Sequence, residues 1–380
     1  MKKILFAITG LTIGGAERVL VDLANRLADE YDITILTLYG KGKLEKEVSY
    51  KVKLINYYKN SYDEMDPIKK KMISVKLAST CIMPKGFDTY VAFLEGPMTR
   101  QVAKIKDKNA KKIAWVHNDI SKVFGEGISA KTKNKIDEEV YRKFDKIVFV
   151  SEENKKDFIN TYGKYFDTCI IKNYLDYKKV IEKSNEEIKP FKNENTPTLV
   201  TVARLVEQKG IGRFIRIHKK IINNGIKNNV YVIGNGPLKD SLKKQINDNN
   251  VKDTFKLLGE KKNPYPYIKQ ADYFCLLSNF EGYGMVLDEA KILNKKIIIT
   301  NTAAKEAVKD YSNAYILKND ENSIYEGLKE ILTSNNKRTK NDKTDEKNYC
   351  FDYENYYAEI IKKIKKILWK LKANLELIKN

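Results

Sequence analysis

Short apolar runs alternate with longer amphipathic stretches along most of the chain. In the first half the runs fall at 3–9, 33–39, 52–57, 89–94, 113–117, 147–151 and 169–172. Each is short, rich in branched and aromatic residues and bounded by polar positions, so each predicts a strand. Stretches such as 16–28 lie between several of them with apolar residues at helical spacing. That βαβ rhythm predicts a doubly wound parallel sheet over 1–177. Residues 178–197 are polar and charge-rich and read as a connection between domains. The rhythm restarts at 198–203, 230–233, 255–258, 273–277, 297–300 and 315–317, which predicts a second such domain over 198–335. Two α/β domains facing each other across a cleft are expected, with ligands beyond the carboxyl ends of the strands.

The last segment, 336–380, opens on a charged, apolar-poor stretch at 337–348. Beyond it Ile360, Ile361, Ile364, Ile367, Leu368, Leu371 and Leu375 recur at helical spacing, with lysines among them. Such a helix either packs on the body or rests a basic amphipathic face on anionic lipid.

Composition narrows the class. A chain of 380 residues with 42% hydrophobic residues can build sizeable cores and is globular rather than disordered. Cys81, Cys169, Cys275 and Cys350 are far apart and have no metal-ligand spacing. Three of them fall in or beside apolar runs and read as buried thiols of a reducing compartment. The apolar start at Ile4 breaks at Gly10 and has no small-residue cleavage site, so a first strand is expected rather than a signal peptide. No apolar run approaches the ~18 residues of a membrane span. The net charge of +21 attracts phosphate-bearing partners: an anionic membrane, a nucleotide sugar or a nucleic acid. A lysine-rich composition without functional meaning would give the same charge.

The chemistry concentrates where predicted strands end. After the run at 273–277, Gly282 and Gly284 flank Tyr283 and release the backbone before a helix that starts near Met285. The amides of Met285 and Val286 then form an electropositive helix N-terminus suited to an anionic ligand. Glu281 precedes this turn, and Glu289 follows eight residues later, about two helical turns in. Many carboxylate pairs at such spacing are merely solvated helix faces. At the end of the first run, Gly14 and Gly15 open the helix that carries Glu17 and let backbone approach a phosphate or sugar. The register of a dinucleotide fingerprint is absent there. Arg204 and Lys209 lie five residues apart across a turn, so a guanidinium fork and an ammonium can converge on one diphosphate. His117, one of two histidines, ends the run at 113–117, where a structural role is the ordinary alternative. His218 is given no role.

These strings resemble the motifs of the family 4 glycosyltransferases, in family order from Gly14 to Glu289. The matching strings are Gly-Gly-Ala-Glu-Arg at 14–18, Arg204 to Lys209, Gly234-Asn235-Gly236-Pro237 and the Glu281–Glu289 pair. Asn173-Tyr174-Leu175-Asp176 resembles the loop before the family's hinge, with Tyr174 where Gly or Pro is common. The resemblance implies a GT-B fold of two Rossmann-like domains, with a last helix that crosses back to the first domain. It further implies a retaining transfer of a sugar from a nucleoside diphosphate donor, a UDP-sugar, to an acceptor hydroxyl. Glu281 would contact the sugar, Glu289 would hold the ribose, and Arg204 and Lys209 would hold the diphosphate. Gly234, Gly282, Tyr283, Gly284, Met285 and Val286 would line the donor. Gly14, Gly15 and Glu17 would form the acceptor-side loop, and His117 would lie near sugar hydroxyls.

The chain contains no Asp-x-Asp, the pair that commonly holds a metal on a donor diphosphate. Metal independence is therefore expected, with no cofactor. The basic balance, including Lys69-Lys70-Lys71, points to a lipid-linked saccharide acceptor in capsule, exopolysaccharide or lipopolysaccharide synthesis. That places the protein in the cytoplasm, peripheral on the inner membrane face. Three rivals stay open. One is a nucleotide-sugar epimerase of the same fold. Another is a nucleic-acid-binding protein, against which stands the lack of an aromatic–basic recognition motif. The third is a non-catalytic scaffold, which would be expected to lose Glu281 or Lys209, and both are present.

Overall fold

The structure, a computed structural model, describes residues 1–12, 14–62, 64–123, 128–189, 191, 196–334 and 353–369. The chain forms two compact units, Met1–Leu175 with Glu354–Asn380, and Asp176–Tyr353.

The first unit begins β1 (Lys3–Ile8), α1 (Gly15–Leu27), β2 (Asp32–Tyr39), β3 (Lys53–Tyr58) and α2 (Pro67–Ser79). It continues β4 (Thr89–Phe93), α3 (Pro97–Ala103), β5 (Lys111–Val116), α4 (Ile120–Val123) and α5 (Ile128–Tyr141). After these come β6 (Lys146–Phe149), α6 (Glu152–Tyr162) and β7 (Thr168–Ile170). Its seven strands lie in the order β3-β2-β1-β4-β5-β6-β7, and every pair is parallel. The middle strands are buried on both faces, which is why their sequences read as continuous apolar runs rather than alternating ones.

The second unit runs α7 (Tyr177–Ser184), β8 (Thr198–Val202), α8 (Ile211–Asn223), β9 (Asn229–Ile233) and α9 (Lys239–Asp248). It proceeds through β10 (Phe255–Gly259), α10 (Tyr265–Gln270), β11 (Tyr273–Leu276), α11 (Val286–Ile292) and β12 (Lys296–Thr300). It ends with β13 (Ala314–Leu317) and α12 (Glu321–Ser334). Its six strands follow β10-β9-β8-β11-β12-β13, again all parallel. Strand order reverses direction between β1 and β4 in one sheet and between β8 and β11 in the other. Those are the switch points where open α/β sheets bind ligands.

Two expectations change. Residues 177–184, read from their charge as part of a connection, form α7, which packs on α10 and α11 within the second unit. The Asp176 side chain accepts from the Lys179 amide at 3.2 Å and caps the helix, and Val180 is buried. Charged residues on the helix's outer face masked one buried side. Cys275 is a buried thiol, but Cys169 is half-buried and Cys81 is exposed, in the polar loop after α2. Cys350, Leu371 and Leu375, and the stretch at 337–348, lie outside the described residues.

The last described helix, α13 (Tyr353–Trp369), resolves the choice left by its sequence. From Glu354 onward it belongs to the first unit, where Ile360, Ile361, Ile364, Ile367 and Leu368 are buried. The Lys111 ammonium donates to the Ile367 carbonyl at 2.6 Å and Lys2 donates to that of Trp369 at 3.1 Å. Two cations thus satisfy and complement the negative end of the helix. Ile364 is fully buried, so Ile364→Ala should cost about 2–5 kcal/mol, read as a lower urea midpoint of the intact protein. An unchanged midpoint would mean that α13 is not part of the folded core.

Candidate active site

In the second unit two loops are strapped together past the ends of β8 and β11. Gly210, at φ +64°, starts α8 in the left-handed region, and a Cβ there would meet the Leu277 carbonyl oxygen at 2.4 Å. Only glycine allows that approach. From α8, Arg213 donates to the carbonyls of Leu277 and Ser278, each at 2.7 Å, and to Asn319 Oδ1 at 2.7 Å. The Asn279 amide donates to the Gln208 carbonyl at 2.8 Å, and its side chain donates to the Glu207 carbonyl at 2.7 Å. The backbone at 277–279 therefore has no freedom to slide against 207–210.

This strap brings Lys209 and Glu281 into direct contact. The ammonium pairs with Glu281 Oε2, which also accepts from the Ser278 hydroxyl at 3.1 Å. Glu281 Oε1 has no donor among the described residues, so one carboxylate oxygen is clamped and the other is free for a hydroxyl. Arg204, two residues past β8, is exposed and forms no ion pair among the described residues. Its loop is held against the loop after β9. Gly234 has φ +145°, and a Cβ there would meet the Ala203 oxygen at 1.9 Å, while the Leu205 amide donates to the Asn235 carbonyl at 3.0 Å. The string 234–237 is therefore mainly a turn that fixes where Arg204 stands.

Gly284, at φ +71°, turns the chain from β11 into α11. Met285 caps the helix and Val286 begins it, so their amides fall in the first turn, where a helix offers no internal acceptor. Gly282 has open space around its α-carbon, whereas Tyr283 is buried. Glu289 is buried in the following turn, where its Oε1 accepts from the Tyr265 hydroxyl at 3.3 Å. The structure thus gathers Lys209 and Glu281 directly and sets Arg204, Gly234, Gly282, Gly284 and Glu289 around the same carboxyl edge of one sheet.

In the first unit the β1–α1 turn carries Gly14 as the helix N-cap, followed by Gly15. A Cβ at Gly14 would strike the Glu17 carboxylate at 2.1 Å, so the glycine makes room for that side chain. Glu17 accepts from the Thr12 hydroxyl at 3.2 Å, and burial raises its pKa. His117 follows β5 immediately and packs on Phe93 with ring centroids 4.7 Å apart. Its Nε2 is buried without a hydrogen-bond partner among the described residues. Burial lowers its pKa from 6.5 to about 3, so the ring is a neutral group with one unused polar atom.

Glu95 was missed by sequence reasoning. It follows β4, which lies between β1 and β5 in the sheet, and so stands between the glycine turn and His117. Its carboxylate accepts from the His117 amide, from the Asn118 amide at 2.9 Å and from the Asn118 side chain at 2.9 Å. Burial raises its pKa, opposed by those hydrogen bonds. Leu94 before it has φ +101° and Gly96 after it has φ +121°. A strained leucine at a switch point is the kind of backbone that marks functional sites. The signal in the sequence was the Gly96-Pro97 pair after a strand, which implies an abrupt turn at its tip.

Comparisons with known proteins bear on the family and the fold. A family model described as Glycosyltransferase Family 4 matches residues 13–178, and one described as Glycosyl transferases group 1 matches residues 182–348. An uncharacterized glycosyltransferase of Methanocaldococcus jannaschii is 30% identical over 219 residues. That match spans 56% of this chain and about half, 53%, of that relative. The N-acetylgalactosamine-N,N'-diacetylbacillosaminyl-diphospho-undecaprenol 4-alpha-N-acetylgalactosaminyltransferase of Campylobacter jejuni is 25% identical over 352 residues. Here 87% of this chain and 90% of the relative are covered. The solved structure of Anabaena HepE in complex with UDP and glucose shares the fold at a TM-score of 0.69 with 17% identity. It covers 97% of this chain and 99% of that one.

The two histidines give a direct check on the electrostatics. His218 is buried between Asn228 Oδ1 at 2.9 Å and the Thr254 hydroxyl at 2.8 Å, and burial lowers its pKa to about 4. Both folded values lie below the unfolded 6.5, so the stability they contribute is present above pH 6.5 and is lost as pH falls toward the folded pKa. Neither ring should titrate between pH 5 and 8 by NMR. A midpoint near 6.5 for His117 would place that ring in solvent and remove it from the site.

Proposed function

Because the chain belongs to the family 4 glycosyltransferases, we propose that it moves a sugar, with retention of configuration, from a UDP-sugar to a hydroxyl of a lipid-linked saccharide. The observation that carries this reading is the Lys209–Glu281 contact, in which a cation and a half-free carboxylate share one strand edge with Arg204. Lys209 and Arg204 stabilise the charge that grows on the departing diphosphate, and the amides of Met285 and Val286 add positive potential. No divalent ion is needed for that task, so the transfer is metal-independent. Glu281 Oε1 orients a sugar hydroxyl, and Glu289 takes the ribose.

The reaction runs on one face. The glycosidic bond to the diphosphate breaks as the acceptor oxygen bonds the anomeric carbon, and the departing phosphate oxygen takes the acceptor proton. Gly14, Gly15 and Glu17 form the acceptor-side loop, and the neutral His117 ring bonds a sugar hydroxyl through Nε2.

The donor reading draws on the UDP and glucose of the Anabaena structure. The acceptor reading draws on the diphospho-undecaprenol in the name of the Campylobacter relative and on the charge of +21. No helix among the described residues is long and apolar enough to cross a membrane. We place the protein peripherally on the inner membrane face, in surface-polysaccharide synthesis.

Arg204→Ala and Glu281→Gln should each lower transfer about 10²–10³-fold, the loss expected for one charge-stabilising group, with a circular-dichroism melt like that of the parent. NMR of the product should show the donor's anomeric configuration. Near-normal turnover in either variant would contradict the assignment. Interconversion of the donor without acceptor would identify an epimerase instead.

A further inference from the structure

We propose that the outward face of α2 is a docking surface for the anionic phospholipid headgroups of a membrane. Its sequence, Pro-Ile-Lys-Lys-Lys-Met-Ile-Ser-Val-Lys-Leu-Ala-Ser, is apolar on two opposite sides. One side faces inward. Ile73 is buried and Leu77 packs on the core of the first unit. The other side carries Ile68, Met72 and Val75, four and then three residues apart on one stripe, and they are 73%, 65% and 63% exposed. Scattered exposed apolar residues need no explanation, but a stripe on a folded helix does.

The surroundings of the stripe identify its partner. Lys71 and Lys76 line the same open groove as the three apolar residues. Lys69 and Lys70 complete four lysines in a helix with no acidic residue. An apolar stripe framed by cations is complementary to a surface that is apolar beneath an anionic layer. A cluster of tyrosines borders the helix on its inward side, where Tyr39, Tyr57 and Tyr58 pack with Leu77 against the core of the first unit. The Lys70 ammonium lies 4.3 Å from the Tyr62 ring and Lys76 lies 5.3 Å from that of Tyr57. Tyr62 in turn meets Tyr39 with centroids 5.1 Å apart and is half exposed. Of these rings it is Tyr62 that reaches solvent, and a ring with an apolar body and a polar tip favours a membrane–water boundary.

Position and anchoring support the same role. Tyr39 and Tyr58 end β2 and β3, so the tyrosines stand at the carboxyl edge of the sheet that also carries Gly14, Glu95 and His117. The far end of α2 is held rigidly, since the Lys104 ammonium donates to the carbonyls of Leu77 and Ala78 at 2.5 and 2.8 Å. The basic amphipathic helices α8 and α13 have already committed their apolar sides to the cores of their units. Among the described residues α2 is left as the membrane face, next to the edge an acceptor with a lipid anchor must reach.

This docking rests on the lipid-linked acceptor reading for its purpose, but binding can be tested without turnover. The full chain is co-sedimented with vesicles of phosphatidylcholine alone and of phosphatidylcholine mixed with phosphatidylglycerol. Binding should require phosphatidylglycerol and weaken with salt. Met72→Ser with Val75→Ser, and separately Lys71→Ser with Lys76→Ser, should each reduce it by about tenfold or more. Melting temperature and transfer to a detergent-solubilised acceptor should stay at the parent level. Parent-level vesicle binding by both variants would overturn the proposal, as would a parent protein that binds neither vesicle. Self-association of the parent that these substitutions abolish would also overturn it, because the stripe would then cover a second copy. Loss of transfer with vesicle binding intact would count against the proposed function and leave the docking surface standing.

Discussion

The site depends on one constraint, the close approach of the backbone at Gly210 to the Leu277 carbonyl. The Lys209–Glu281 pair of the second unit's site is positioned from that contact. Gly210 permits it through a left-handed backbone and a missing Cβ. Arg213 then donates to the carbonyls of the buried Leu277 and Ser278, the second of which also accepts from the Thr300 hydroxyl. With those two loops fixed, Lys209 and Glu281 meet although they are 72 residues apart in sequence. Two long side chains would lose much rotamer freedom to hold each other on an open surface. Here the backbone carries that ordering.

The first unit achieves a comparable result with a side chain. The Glu95 carboxylate binds the amides of His117 and Asn118 and so ties the end of β4 to the end of β5. The ring of His117 is thereby left with its outer nitrogen unpartnered against Phe93. In both units the anchored residues cluster at the point where strand order reverses, because only there do adjacent loops diverge and leave room for a ligand. A neutral imidazole and a clamped carboxylate suit the orienting of hydroxyl groups, which require directed polar atoms rather than net charge.

Much of this was legible from residue pattern. All thirteen strands among the described residues stand where short apolar runs predicted them, most sharply the inner ones, since a parallel strand covered on both faces has almost no polar position to blur its bounds. The strand-end clusters of Arg204, Lys209, Glu281 and Gly234 were legible for the same reason: a polar string after a buried run lies at the edge of the sheet. What could not be read depended on contacts between distant segments. Glu95 gains its meaning from an amide pair 22 and 23 residues away. The helix α7 hid its single buried side among lysines. The apolar residues of α2 point in opposite directions, so its periodicity gave no amphipathic signal until burial separated inner from outer.

The central claim is that basic side chains grip a nucleoside diphosphate at the edge of the second sheet. Calorimetric titration of UDP, with EDTA present, tests it most directly on the parent protein and on Lys209→Met. The account predicts binding that EDTA leaves unchanged and an affinity about tenfold or more weaker in the variant, the loss of one charge-assisted contact. Equal affinity in the two proteins, or binding that EDTA abolishes, would contradict it.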